Sequence, residues 1–137
     1  MAQSCMDNET RREVSQWLLK GQRDLDVADL LSKSKPPYLD VAAYHCQQAA
    51  EKALKGYLTA QDINFPKSHD LVFLLGLAME TEARFRQWQQ LAETLTPYAT
   101  MFRYPGPIGE PPREEITGII IQVESFVQFV RELLINT

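Results

Sequence analysis

The stretch from Ala42 to Tyr57 constrains the fold most. Ala42, Cys46, Ala49, Ala53 and Tyr57 recur at intervals of four, three, four and four residues. At about 100° per residue these positions share one face of a helix. Ala43, Ala50 and Leu54 widen that face. Small side chains on a packing face let neighbouring helices come close. His45, Gln48, Lys52 and Lys55 fall on the opposite arc. That arc reads either as a solvated surface, with Glu51 and Lys55 as an i,i+4 ion pair, or as a polar strip offered to a ligand or partner.

The same periodicity runs through most of the chain, and no strand alternation or hairpin dipeptide interrupts it. A first helix is expected from about Asn8 to Leu31, with Val14, Trp17, Leu18, Leu25, Ala28 and Leu31 inward and Asp7 or Asn8 as its cap. Gly21 lies inside it, at a cost of about 1 kcal/mol against alanine. The loop 32–37 carries two prolines and separates it from the second helix, expected from about Tyr38 to Gln61. A short third helix is expected from His69 to Met79, with Ser68 as its cap and Asp70 in its first turn. A fourth segment runs from Thr81 to Phe102. Pro97 must either kink it or divide it in two. Segment 103–112 holds four prolines and two glycines and excludes a helix. A fifth helix follows to about Leu134, with Ile116, Ile119, Ile120, Val123, Val127, Val130 and Leu134 inward. Phe126 and Phe129 extend its apolar arc beyond one seam, which predicts that part of it faces a second subunit.

The expectation is therefore an all-α, up-and-down bundle of four long helices and one short helix. At 137 residues it forms one domain, 1–137, with a core over about 12–134. The net charge of −4 disfavours duplex nucleic acid as a partner, while a local basic groove for RNA stays open. Two cysteines without a CxxC spacing fit free thiols in a reducing cytoplasm and give no zinc site. The polar N-terminal stretch lacks the apolar core of a signal peptide, and no apolar run is long enough to span a membrane. No phosphate-cradling glycine loop, nucleophile elbow or HExxH motif is present, so neither metal nor cofactor is expected.

Few residues carry candidate chemistry. His45 reads as a core-edge histidine or a groove residue. His69 reads as part of a capping arrangement with Ser68 and Asp70, or as a functional imidazole. Arg103 and Tyr104 stand at a helix end, where Arg suits the negative end of the helix dipole; a guanidinium beside an aromatic ring equally suits a phosphate or a base. The stripe of Trp88, Tyr98 and Phe102 reads as core.

Three segments taken together, AAYHCQQAAEKALKGYL at 42–58, SHDL at 68–71 and FRYPG at 102–106, resemble the HEPN (higher eukaryotes and prokaryotes nucleotide-binding) domain family, in its compact prokaryotic branch. Trp17 and the Asp24-Leu25 pair of the first helix fit the same pattern, and the resemblance covers roughly residues 12–134. It implies a helical bundle that commonly forms a homodimer with a groove near the two-fold axis. It also implies pairing with a small nucleotidyltransferase, as in a toxin–antitoxin-like pair.

Ribonuclease members of this family carry an Arg, four to six residues, then a His. Here the positions that would precede His45 are Tyr38, Leu39 and Asp40, and those preceding His69 are Asp62, Ile63 and Asn64. Downstream of Arg103 the corresponding positions are Ile108, Gly109 and Glu110. The motif is absent, although a site assembled from distant residues, such as His69 with Arg103, stays open. The resemblance thus points to a module without catalytic residues that binds a nucleotide, a nucleotidyltransferase partner, or both. His45, Gln48, Lys52, Lys55, His69, Arg103 and Tyr104 would form its nucleotide-binding strip. A divergent metal-independent ribonuclease toxin and a pure protein-interaction module are the alternatives.

Overall fold

The structure, a computed structural model, describes residues 6–102, 105 and 109–135. Helix α1 spans Asn8–Lys33, α2 Leu39–Ala60, α3 Leu71–Met79, α4 Gln89–Leu95 and α5 Arg113–Ile135. No described residue is in a strand, and no described helix is long and apolar enough to cross a membrane. The chain is an up-and-down helical bundle built around α2, which packs on α1, α3, α4 and α5.

Local chemistry sets the helix boundaries. The Asp7 side chain accepts from the Thr10 amide at 2.7 Å and opens α1. At the start of α3 the expected cap moves by two residues. Asp70, not Ser68, is the cap, accepting from the amides of Val72 and Phe73. The Ser68 hydroxyl instead accepts from the Asp70 amide and steadies the approach. This arrangement takes His69 out of the helix and frees its ring to reach α2.

The fourth expected segment is divided. A 3₁₀ turn over Ala83–Trp88 leads into α4, and a second over Thr96–Ala99 follows it. Pro97 sits in the first positions of that second turn, where its missing amide hydrogen costs no helical bond.

Fourteen of the 22 residues of α2 are buried, which makes it the central helix. Ala42, Ala43, Cys46 and Ala49 are all fully buried. Burial pushes the Cys46 thiol up to about 12, so it acts as a small protonated core group. Two glycines set the close crossing of α1 and α2. A Cβ on Gly21 would stand 3.2 Å from the Ala49 carbonyl oxygen, and one on Gly56 would stand 3.2 Å from Trp17 Cβ.

At the other side of α2, Phe85 packs edge-on against Tyr57, Phe126 and Phe129. Trp88 contacts the same two phenylalanines of α5. Phe126 and Phe129 are therefore packed within the chain, Phe126 fully buried and Phe129 partly covered. The segment around Phe85 and Trp88 covers the arc that α5 alone would have left open. The Trp88, Tyr98 and Phe102 stripe is mostly core: Tyr98 is buried, and Trp88 and Phe102 pack against the core from its edge.

Candidate functional site

Polar side chains on α2 gather into two trios, each with one carboxylate, one lysine and one histidine. The first joins α2 to α1. Asp24 accepts from His45 Nδ1 at 2.8 Å through one oxygen and from Lys52 Nζ at 2.5 Å through the other. Asp24 lies on the inward register of α1, one turn beyond Gly21. The absent Gly21 side chain lets the Lys52 stem lie alongside.

The second trio joins α2 to the segment before α3. Glu51 accepts from Lys55 Nζ at 2.8 Å, from His69 Nδ1 at 2.9 Å and from Gln47 Nε2 at 3.0 Å. Gln47 Nε2 also donates to the His69 carbonyl, and Gln48 Nε2 donates to Gln47 Oε1 at 2.7 Å. Burial by itself raises the Glu51 carboxyl. Hydrogen bonds from Lys55, Gln47 and His69 outweigh that effect and hold it below the usual carboxylate range. Glu51 is thus an ionised acceptor, and His69 Nδ1 must donate to it. The His69 side chain remains 67% exposed, so its Nε2 is the ring nitrogen left for solvent or a ligand.

Lys55 corrects the sequence reading. The Glu51–Lys55 pair forms as expected, but it is buried and not solvated, with the Lys55 side chain only 8% exposed. The Lys55 ammonium lies 5.8 Å from the ring centroids of both Trp17 and Phe65. Helix α1 and the segment after α2 cover an arc that helical periodicity alone assigns to water. Lys52 and His45 are partly covered for the same reason, with side chains 22% and 25% exposed. The strip is therefore a set of interhelical ion pairs with open edges at Gln48, His45 and His69.

The expected site residues separate accordingly. The structure brings His45, Gln48, Lys52, Lys55 and His69 onto or beside one arc of α2. Arg103 and Tyr104 lie outside the described residues, directly after Phe102. Sequence reasoning missed the central roles of Asp24, Gln47 and Glu51. Their signal was a polar residue in an apolar register: Asp24 falls between Gly21 and Ala28, and Gln47 and Glu51 lie beside Ala43, Ala50 and Leu54.

A second concavity continues the same arc toward the start of α2. Asp40, Val41, Tyr44, Tyr98 and Phe102 line a pocket of about 230 Å³. Tyr44 meets the His45 ring edge-on at 5.3 Å, which connects the pocket to the first trio. Among the described residues, no group of three His, Cys, Asp or Glu side chains is placed to hold a metal ion.

The HEPN domain model matches residues 14–133. Among solved structures, the chain is similar to TT1696 from Thermus thermophilus, with a TM-score of 0.77 and 26% identity over 87% of this chain and 96% of that one. It is also similar to ST0689, an archaeal HEPN homologue, with a TM-score of 0.67 and 25% identity over 88% of this chain and 96% of that one. No curated protein matches the sequence. The family model spans nearly the whole bundle, including α2 and both trios, and the chain belongs to the HEPN domain family.

Proposed function

We propose that the protein is a non-catalytic HEPN module that holds a nucleotide, or the nucleotide-bearing surface of a small nucleotidyltransferase partner, on the open edge of the α2 strip. The observation that carries this reading is the placement of His69. A buried, ionised Glu51 fixes its Nδ1, and its ring projects to solvent. Such a carboxylate-held imidazole suits phosphate or base recognition through Nε2. Lys52 and Lys55 already have carboxylate partners, so they shape the strip more than they attract an anion. Arg103, next to Phe102 in the sequence, supplies the unassigned positive charge. The missing Arg–His spacing supports binding without cleavage.

Calorimetric titration with ATP and with GTP tests the nucleotide part. Binding heat is expected, weakened by His69→Ala, Gln48→Ala and Arg103→Ala. Absence of heat with both nucleotides would remove that part of the reading. The partner part predicts co-purification with a small nucleotidyltransferase encoded in an adjacent reading frame. A homodimer belongs to the same proposal, and sedimentation should give about twice the 15.7 kDa chain mass. Growth arrest on expression, relieved by His69→Ala, would instead revive the ribonuclease reading.

A further inference from the structure

The pocket at the start of α2 has a chemistry unlike that of the strip beside it. Its walls are aromatic, formed by Tyr44, Tyr98 and Phe102, and among the described residues its one charged lining group is Asp40. Tyr98 and Phe102 lie 5.6 Å apart with their planes tilted by 46°, so together they form a corner and not a flat stack. No described lysine or arginine lines it.

Two more carboxylates stand behind the walls. Glu115 accepts from the Tyr98 hydroxyl at 2.6 Å, and Glu110 accepts from the Leu39 amide at 3.1 Å, one residue before Asp40. One Asp40 oxygen accepts from the Val41 amide at 2.8 Å. Asp40 and Glu110 thus already answer the positive end of the α2 dipole. Among the described residues, the charged groups that a phosphate would meet here are acidic. A cation would meet aromatic side chains and a carboxylate, the two kinds of group that bind guanidinium and ammonium.

The surroundings indicate a protein and not a free small cation. Val41 lines the pocket and is 40% exposed, while Tyr38 and Met101, close in sequence to Asp40 and Phe102, are 50% and 38% exposed. Exposed apolar side chains around a pocket that accepts one anchor are what a protein–protein contact uses to exclude water.

We propose that this aromatic and acidic pocket receives an arginine side chain of a partner protein, with the guanidinium against the Tyr44, Tyr98 and Phe102 rings and its charge on Asp40. Arginine fits better than lysine because a planar guanidinium can stack on a ring while donating to a carboxylate. This proposal rests on the pocket alone and stands whether or not the α2 strip binds a nucleotide.

The test uses the full chain, isotope-labelled, and follows backbone amide signals by NMR. N-acetyl-arginine methylamide is titrated against its neutral isostere, N-acetyl-citrulline methylamide, and against AMP. The arginine probe should shift Val41 and Tyr44 with millimolar affinity, and the citrulline probe should not. Asp40→Asn, which keeps an acceptor for the Val41 amide, should lower the arginine affinity by about tenfold. Tyr44→Ala should lower it further. An unchanged thermal midpoint for Asp40→Asn shows that the loss is not one of folding. Equal shifts from citrulline, shifts at Val41 and Tyr44 from AMP alone, or no shifts from arginine would each overturn the proposal. AMP shifts confined to Gln48 and His69 would support the nucleotide reading and leave the arginine result to decide this one.

Discussion

The two trios on α2 have the same ingredients and different construction. In the first, Asp24 comes from α1, and its two partners, His45 and Lys52, come from α2, each about a quarter exposed or less. In the second, the carboxylate and the lysine are one turn apart on α2, nearly buried, and the histidine arrives from a connecting segment with its ring in solvent. The first trio ties two helices together at a seam where Asp24 is itself buried and its partners are partly open. The second buries a charge almost completely and leaves one polar tip outside. A carboxylate without water depends on every donor it has, whereas Asp24, with 11% of its side chain exposed against 4% for Glu51 and with partly open partners, has more water at hand to replace a lost donor.

That contrast predicts a ranking. Lys55→Ala should have the largest effect, about 3–5 kcal/mol in denaturant unfolding, because it leaves Glu51 buried with its main counter-charge removed. A loss below about 1 kcal/mol would mean that water reaches Glu51 when Lys55 is removed, contrary to its near-complete burial. Gly21→Ala comes next, at about 1–3 kcal/mol of destabilisation. Helix propensity alone predicts a gain of about 1 kcal/mol from the same change. The new Cβ, however, would press on the Ala49 carbonyl oxygen, which is backbone and cannot rotate away. A more stable variant would show that the seam can open and that the first trio is looser than its geometry indicates. Lys52→Ala should cost only about 1 kcal/mol, in the range of a partly exposed ion pair.

The smallest effect is one of pH. Glu51 is held below its ordinary value of 4.5. Its folded-state value is therefore lower than its unfolded one. The stability it contributes is complete above the unfolded value and declines as the pH falls through the folded value. Glu51→Gln should flatten that part of the acid unfolding profile, followed by circular dichroism. An acid profile unchanged by the substitution would show that Glu51 is not held below its ordinary value by its buried donors.

Much of the architecture was legible in the residue pattern. The intervals of three and four around Ala42–Tyr57 located the central helix, the Asp7 cap placed the start of α1, and the proline-rich segment separated α5 from what precedes it. The α3 cap was misplaced because Ser68 and Asp70 are both good capping residues, and only the path of the chain selected Asp70. The candidate site was less legible. His45, Gln48, Lys52 and Lys55 were found as an arc, but Asp24, which pairs with His45 and Lys52, and His69, which joins Lys55 on Glu51, lie far away in sequence. The aromatic pocket joins α2 to residues around Tyr98 and was not visible as a unit.

By itself, the sequence determined an all-α bundle, an α2 with a small-residue packing face, and membership of the HEPN domain family. The bundle and the packing face follow from local periodicity; the family follows from the resemblance of three short segments, which the domain model over residues 14–133 bears out. The tertiary structure alone decided which polar groups of α2 still face water. Helical geometry assigns a side chain to an arc, but whether that arc is wet depends on what lies across it. Here Trp17 of α1 and Phe65 cover Lys55, while His69 keeps an open edge. That difference in desolvation makes one charge a structural brace and leaves a neighbouring imidazole available for binding.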